Sequence, residues 1–418
     1  MSHPRGPLAQ LRRGHEELVL ELLRKHGPLS RGELGKLCQL SRTTLYDILA
    51  GLVSTGAVVT ATQQDAPRGR GRPAETLTLN PDAGQAIGID FARRAVHVAA
   101  VNLAHEVVGS ASAPHPADLS WEERVDLADR LVGSLTDGGL RLGALSAIGV
   151  GVVGPVGWPE PEDDPAGLGP DEPAHPVQVL LSSRFGVPVL MDNNTRLAAL
   201  GEAIWGAAAG GLDVLYLRLS HGVGGGLVVG GSLHRGAYGL SGEFGHITVD
   251  PDGAPCDCGG TGCLETVASI RAVLDAYRAA GGRAGDVPEL AKATRAGDET
   301  ALTLLEGVGA TVGGVLAAVC NAIGPSVIVV GGELAETGAA LIEPIERALR
   351  AQVMPVSRHR LSLRRATLGE AAGALGGIAL VLHESPLLSR YPAGPDLASG
   401  LIDETERATR PTRQERQS

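Results

Sequence analysis

Four potential metal ligands lie close together in one short segment of the chain, and they constrain its local fold more than any other feature. His246 is followed by Cys256, Cys258 and Cys263, so the three cysteines have the spacing Cys-x-Cys-x₄-Cys. One imidazole and three thiolates complete the tetrahedral shell of Zn²⁺ and leave no position for a reactive water. The sequence therefore predicts a structural zinc site, and the reduced thiols that it needs favour a cytoplasmic setting.

The same segment carries two carboxylates, Glu243 and Glu265, on either side of the predicted zinc ligands. Carboxylate oxygens accept several hydrogen bonds at once, which suits the neighbouring hydroxyl groups of a polyol. A zinc ion that clamps the loop would hold both carboxylates and His246 in fixed positions. We therefore predict a rigid sugar-binding platform in this segment.

Charge is distributed unevenly along the chain, although its net value is -11. Residues 1–80 carry 11 Lys and Arg against 7 Asp and Glu, whereas the rest of the chain carries 25 against 40. A basic head on an acidic body is typical of a DNA-binding module joined to a soluble sensor or enzyme. The hydrophobic fraction of 43% is sufficient for folded cores. There is no uninterrupted apolar run of about 18–20 residues, so we predict no membrane span.

The basic head has the pattern of a helix-turn-helix. Apolar spacing predicts a first helix from Arg12 to about His26, Ser30 and Glu33 form a capping box for a second, and Ser41 caps a third. Recognition helices contact bases mainly through their N-terminal residues. In the third helix, the predicted DNA contacts are Ser41, Arg42, Thr43, Thr44 and Tyr46.

A basic wing is predicted after the third helix. Segments 56–59 and 76–79 have the composition of two hairpin strands, and Arg68, Arg70 and Arg72 alternate with glycines between them. Such a narrow cationic strip can follow phosphates or enter a minor groove. A three-helix bundle with a solvated basic loop is the alternative, and the position of the wing favours DNA binding.

The rest of the chain alternates strands with helices, which predicts a layered α/β fold. Strands are predicted at 87–90, 96–101, 147–153, 187–191, 214–219 and 326–330, and helices at 121–135, 196–209 and 302–321. Glycine-rich turns at 222–226 and 331–332 could let backbone N–H groups approach a phosphate or sugar, or could be ordinary tight turns.

From Pro81 to about 385 the chain resembles the ROK family (repressors, open reading frames and sugar kinases) of the actin-like ATPase superfamily. The stretch His246–Glu265 matches the zinc signature of that family at every fixed position. Head and body together are similar to its repressor branch, which includes regulators of xylose, glucose and N-acetylglucosamine genes. The resemblance implies zinc on His246, Cys256, Cys258 and Cys263, and sugar contacts from Asn193, Glu243, His246 and Glu265.

The domain organisation that follows has three parts. A winged helix-turn-helix domain is predicted at 1–80 and a two-lobed, actin-like (ROK) sugar-kinase-like domain at 81–388. Lobe 1 is expected to comprise about 81–195 with 370–388, and lobe 2 about 196–369. The tail 389–418 contains prolines and mixed charges, which is typical of a disordered segment.

Two departures from the kinases of the family argue against phosphoryl transfer. The family phosphate loop, Asp-x-Gly-Gly-Thr, is replaced by Asp90 followed by Phe91, Ala92, Arg93 and Arg94, so side chains stand where backbone N–H groups would meet phosphates. Apart from these two departures, the loop after 154–156, which normally adds sugar contacts in the family, runs here into an acidic, proline-rich insert at 158–173; we expect a solvated loop, with reshaping of the sugar pocket as the alternative.

The second departure concerns the catalytic base. The family motif Glu-Asn-Asp-Ala-Asn falls on Asp192 and the four residues after it, which places Asn194 at the catalytic aspartate. An amide cannot take a proton from a sugar hydroxyl, although it can still hydrogen-bond the sugar. Asp192 is expected to point elsewhere. Loss of a general base typically removes a factor of about 10²–10⁴ in rate.

We therefore expect a cytoplasmic, sugar-responsive repressor of carbohydrate genes that is not an enzyme. Its expected partners are double-stranded operator DNA, a sugar or sugar derivative and further copies of itself in a homodimer or homotetramer. There are two alternatives. One is an active ATP-dependent sugar kinase with a DNA-binding head. The other is a repressor whose cleft binds no ligand and whose activity is controlled by a transporter or kinase that binds its surface.

Overall fold

A computed structural model of the chain describes residues 7–54, 56–62, 75–80, 85–102, 105–136, 140, 145–154, 156 and 175–384. Three sequence predictions lie outside the described residues: the wing arginines Arg68, Arg70 and Arg72, the acidic insert 158–173 and the tail 389–418. The boundaries proposed for the domains and lobes stay predictions.

The described residues of the head form three helices and a small sheet. Its elements are α1 (Pro7–His26), β1 (Leu29–Ser30), α2 (Arg31–Cys38), α3 (Arg42–Ser54), β2 (Val58–Thr62) and β3 (Glu75–Leu79). The predicted capping box is confirmed, since Ser30 Oγ accepts from Glu33 N at 3.3 Å and the Glu33 carboxylate accepts from Ser30 N at 2.8 Å. The predicted hairpin is also confirmed, because β2 and β3 pair antiparallel and β1 adds to the other edge of β3.

The first sheet of the body has five strands in the order β6-β5-β4-β7-β8. Its elements are β4 (Gln85–Phe91), β5 (Ala95–Val101), β6 (Val107–Pro114), α4 (Trp121–Leu135), β7 (Leu145–Val152), α5 (Pro176–Phe185) and β8 (Val189–Asn193), followed by α6 (Asn194–Ile204). Strands β4, β5 and β6 are antiparallel, whereas β7 and β8 continue the sheet in parallel.

The second sheet repeats this arrangement, with the order β11-β10-β9-β12-β13. The elements are β9 (Val214–Leu219), β10 (Val223–Val229), β11 (Ser232–His234), α7 (Glu265–Ala268), α8 (Ile270–Ala279), α9 (Val287–Arg295), α10 (Glu299–Ile323), β12 (Val327–Gly331), α11 (Ala339–Gln352), β13 (Ser362–Arg365) and α12 (Ala372–Glu384). Again the first three strands are antiparallel and the last two parallel. Two lobes of the same strand order confirm the predicted two-lobed α/β fold.

Helix α12 returns from the second lobe and packs directly on the first sheet. A Cβ at Gly149 would lie 1.8 Å from the carbonyl oxygen of Gly377, and one at Gly88 would lie 1.7 Å from that of Ala374. Glycine is therefore required in both strands, because any side chain would push the helix away. Helix α6 packs against the other side of α12 and also contacts β9 and β10, so it lies between the lobes.

Helix α10 is 25 residues long and, by length and composition alone, apolar enough to cross a membrane. In the protein it packs lengthwise against α11, where a Cβ at Gly313 would lie 2.4 Å from the carbonyl oxygen of Ile345. The apolar composition of α10 thus serves the core of the second lobe.

One hydrophobic cluster is continuous between the head and the first lobe. It contains Val19, Leu34, Leu49 and Leu77 from the head together with Ala86, Ala99, Ala374, Ile378 and Val381 from β4, β5 and α12. Because packed cores transmit displacement rather than absorb it, the head is mechanically connected to α12.

Candidate functional site

The four predicted zinc ligands come together. Ligand atoms of His246, Cys256, Cys258 and Cys263 all lie within 4.8 Å of one another. His246 Nδ1 is 3.6 Å from Cys256 Sγ, and the sulfurs of Cys258 and Cys263 are 3.7 Å apart. A tetrahedral shell with Zn–S bonds of about 2.3 Å has ligand separations of about 3.8 Å. The donor set and its spacing therefore fit Zn²⁺.

Backbone contacts shape the loop that carries the three thiols. Cys256 N donates to Gly260 O at 2.8 Å, and Gly262 N donates to Ala254 O at 2.8 Å. Gly262 has φ +62, and a Cβ there would lie 1.5 Å from Asp250 O. A glycine is required at that position, since it lets the turn close beneath Cys263.

The thiols differ in their electrostatic environment. The Gly260 N–H, which donates to Cys258 Sγ at 3.4 Å, lowers the pKa of the Cys258 thiol. Burial raises the pKa of Cys263 to about 12. A dication at the centre would supply the charge that favours the thiolate of Cys263.

All five predicted sugar-binding residues line one cleft between the lobes, which has a volume of about 1790 Å³. They are Asn193, Asn194, Glu243, His246 and Glu265. Glu243 has a side chain that is 38% exposed, and its Oε2 lies 4.0 Å from His246 Nε2. Glu265 Oε2 accepts from Val223 N at 2.8 Å, so this carboxylate also holds the start of β10.

The side chain of Asn193 makes most of its hydrogen bonds to nearby backbone groups. As the N-cap of α6, its Oδ1 accepts from Thr195 N at 2.9 Å and Arg196 N at 3.1 Å. Its Nδ2 donates to Gly154 O at 2.9 Å. One hydrogen of the Asn193 amide is left for another partner. The main role of the side chain is therefore to position the N-terminus of α6 in the cleft.

Asn194 faces a buried carboxylate rather than an open position. Its Nδ2 donates to Asp90 Oδ1 at 3.1 Å, and both residues are buried. Burial raises the pKa of the Asp90 carboxyl, while the charges of Arg218 and His97 and the hydrogen bond from Asn194 oppose that rise. The amide therefore holds a desolvated carboxylate at the inner end of the cleft.

The turn after β4 contains Ala92, Arg93 and Arg94, which all line the cleft. None of these three residues has a positive φ. On the opposite side, the glycine run 222–226 is one turn residue followed by the start of β10, rather than a turn alone. A Cβ at Gly225 would lie 2.4 Å from the Phe244 ring, so that glycine permits packing in the second lobe.

The predicted DNA-contact residues begin α3. Ser41 Oγ accepts from Thr44 N at 3.1 Å, and the hydroxyls of Ser41 and Thr44 are 2.8 Å apart, so both residues form the cap. Arg42 and Thr43 are exposed, and Tyr46 is 62% exposed.

Sequence reasoning missed Arg31 as part of this surface. Its guanidinium lies over the Tyr46 ring, 5.7 Å from the centroid. The contact joins α2 to α3 and depends on how the two helices cross, so a single-helix pattern carries no signal for it.

Sequence reasoning also missed a charged cluster behind the cleft. The Asp192 carboxylate, expected to point away from the base position, pairs with Arg196 and Arg235. Arg235 is 43 positions from Asp192, so the periodicity of neither segment indicates the pairing.

Comparison with characterised proteins finds full-length relatives. The chain is 28% identical over 406 residues, which are 93% of this chain and 98% of the relative, to the DNA-binding transcriptional repressor Mlc of Escherichia coli. It is 26% identical to the xylose repressor of Caldicellulosiruptor bescii over 90% of this chain and 96% of that protein. A glucokinase of Halalkalibacterium halodurans is 37% identical over 50% of this chain and 68% of its own length.

Structural comparison agrees with these relatives. A ROK family transcriptional regulator described as a homologue of E. coli Mlc superposes with a TM-score of 0.72 at 26% identity, covering 90% of this chain and 98% of that one. The family model described as ROK matches residues 86–384, which include both five-stranded sheets, the cleft and the cysteine cluster. The chain therefore belongs to the ROK family.

Proposed function

We propose that this protein is a DNA-binding transcriptional repressor of carbohydrate genes whose body binds a sugar without phosphorylating it. The observation that carries the proposal is the winged head, whose α3 presents Arg42, Thr43 and Tyr46 to solvent while the helix is joined to a ROK body. A relative similar over both parts is a DNA-binding repressor.

The arrangement suggests how a sugar would act on DNA binding. A sugar that lies against the start of α6, where Asn193 keeps one amide hydrogen, and that is held by Glu243, His246 and Glu265 would favour closure of the lobes. Helix α12 packs on α6 and shares a hydrophobic cluster with the head, so closure would move the head. In a cytoplasmic homodimer or homotetramer, this changes the spacing of two heads on double-stranded operator DNA and shifts the population of DNA-competent states.

A structural Zn²⁺ on His246, Cys256, Cys258 and Cys263 is part of this proposal. Its chemical contribution is to fix the loop, since four protein ligands leave no open position. With His246 Nδ1 directed at the thiols, Nε2 is on the side of Glu243 and remains available to a sugar hydroxyl.

The second candidate is an active sugar kinase, because a glucokinase is similar to half of the chain. Two observations favour the sensor. Asn194 provides no general base and already donates to Asp90, and the turn at Ala92, Arg93 and Arg94 provides no glycines for close approach to phosphates. A coupled ATP-consumption assay with D-glucose, D-xylose and N-acetyl-D-glucosamine separates the two functions.

Replacing Arg42 with alanine is expected to weaken binding to a specific operator about tenfold, because a guanidinium at the start of a recognition helix contacts base edges or nearby phosphates. The operator would be a duplex selected by the parent protein from random sequence. Fluorescence anisotropy at two salt concentrations would measure both the affinity and its salt dependence.

The matched control is Arg278→Ala, which removes another exposed arginine, from α8 in the body. Its operator affinity should equal that of the parent. Equal binding by Arg42→Ala and the parent would show that α3 does not contact DNA as proposed.

Glu243→Gln is expected to lower sugar affinity about tenfold or more and to leave operator binding without sugar unchanged. The change weakens a charge-assisted hydrogen bond to a ligand hydroxyl in a desolvated cleft, which is worth roughly 1.5–3 kcal/mol. Isothermal titration calorimetry with the sugar that the parent binds would measure the loss.

Glu336→Gln is the control, because Glu336 is an exposed carboxylate that lines the same cleft outside the predicted sugar set. Its sugar affinity should match the parent. If Glu243→Gln also matches the parent, Glu243 has no part in sugar binding.

A further inference from the structure

One buried carboxylate connects the two walls of the cleft. Asp192 is 1% exposed, and its Oδ1 accepts from Arg196 Nε at 2.6 Å and from Asn193 N at 2.7 Å. Its Oδ2 accepts from Arg235 Nε at 2.5 Å. The same carboxylate therefore holds the backbone at Asn193 on one side and an arginine from the second lobe on the other.

Arg196 extends this connection. Its side chain is 1% exposed, which is unusual for an arginine, and its Nη1 donates to Gly239 O. Gly239 and Arg235 belong to one short loop between β11 and Glu243, closed by a hydrogen bond from Ser241 N to Arg235 O at 3.1 Å. The loop is thus fastened to the start of α6 at two separate points, through a side chain and through a backbone carbonyl.

The end of this loop packs closely against strand β10. Gly242 has φ +96, and a Cβ there would lie 2.4 Å from Gly225 O on β10. Glu243 follows immediately, and its side chain lines the cleft. The position of the Glu243 carboxylate is therefore set by the loop that Arg196 and Arg235 hold.

We infer that Asp192, Arg196 and Arg235 are positioning residues of the sugar site, an inference that rests on the proposed function. They do not line the cleft themselves. They set the distance between the N-terminus of α6, which carries Asn193, and the loop that presents Glu243. A ligand with hydroxyls matched to both walls binds only while that distance is held.

Stability alone does not account for the cluster. Buried ion pairs contribute little compared with well-packed apolar side chains, since desolvation offsets their attraction. Directional hydrogen bonds from two guanidinium groups do, however, fix a loop in one place, which apolar contacts do less well.

The test uses Arg235→Ala in the full-length protein. Arg235 is 41% exposed, and Asp192 keeps Arg196 as its partner when Arg235 is removed, so the fold should persist with a melting temperature within about 3 °C of the parent. Calorimetry with D-glucose, D-xylose and N-acetyl-D-glucosamine should show about a tenfold loss of affinity for the sugar that the parent binds. Arg235→Lys should recover most of it.

A double-mutant cycle separates positioning from general loosening. If Arg235 acts through the loop that presents Glu243, Arg235→Ala should cost less than about threefold in a Glu243→Gln background. Arg347→Ala, which removes one arginine of an exposed ion pair on α11, should leave sugar affinity unchanged.

The possible outcomes separate a failure of the positioning role from a failure of the proposed function. If the parent binds a sugar and Arg235→Ala binds it equally well, or if the two losses simply multiply, the positioning role is wrong and the proposed function stands. If the parent binds none of the three sugars by calorimetry, the proposed sugar response and the positioning role both fail.

Discussion

Replacing Cys258 with serine should remove the metal and abolish sugar binding. A structural zinc of this ligand type contributes on the order of 10 kcal/mol to its local fold, and a serine hydroxyl is a poor substitute for a thiolate. Glu243 lies three positions before His246 and Glu265 two positions after Cys263, so each carboxylate loses one of the constraints on its position when the loop opens. Elemental analysis should find about one zinc per chain in the parent and almost none in the variant.

Cys320→Ala is the matched control. Cys320 is a buried cysteine in α10 outside the four-ligand cluster, so its replacement should leave the zinc content at the level of the parent. Calorimetry with the three sugars would follow the second effect. Stoichiometric zinc in Cys258→Ser, or no zinc in the parent prepared without chelator, would contradict the proposed metal site.

The parts of the site that lie close together in the sequence could be predicted from it. The spacing of His246, Cys256, Cys258 and Cys263 specifies a donor set, and a donor set specifies a geometry that the loop then forms. The capping box at Ser30 and Glu33 is similar, because both partners lie within one helical turn. In each case the residues that interact also carry the local pattern.

The parts that depend on packing between distant segments could not be predicted. Arg196 lies in the first turn of α6, where an arginine ordinarily faces solvent, and only the fold brings Asp192 and Gly239 around it. The sequence does not predict strand β10, because three of its first four residues are glycines. Glycine has a low intrinsic preference for strands. Close packing against Phe244 and α6 overrides that local preference.

Asn193 shows a third kind of limit. Its position in the motif predicts a sugar contact, which stays a prediction. The structure uses its Oδ1 to cap α6 and its Nδ2 to bond Gly154 O. An asparagine before a helix serves as an N-cap as readily as it serves as a ligand group, and the sequence does not distinguish the two uses.

Asn194→Asp should destabilise the protein at neutral pH by roughly 2–4 kcal/mol, because it places a second carboxyl group beside the buried Asp90. Two carboxyl groups about 3 Å apart cannot both ionise in a desolvated site, so they share a proton and one pKa rises. A group whose pKa is raised in the folded state contributes its stability at low pH and loses it as pH rises through that value. The variant should therefore approach the parent in urea unfolding at pH 5 and fall well below it at pH 7.5.

Gln352→Glu is the control for this pH dependence, since it makes the same amide-to-carboxyl change at an exposed position at the end of α11. It should cost no more than about 1 kcal/mol and should show no comparable loss between pH 5 and pH 7.5. Equal stability of Asn194→Asp at both pH values would show that residues 90 and 194 do not form the close pair described above.

Asn194→Asp also tests catalysis, because it restores a carboxylate at the base position. It should still not phosphorylate any of the three sugars, since Ala92, Arg93 and Arg94 keep the nucleotide phosphates from close backbone contact. ATP turnover by the parent protein itself would instead establish the kinase.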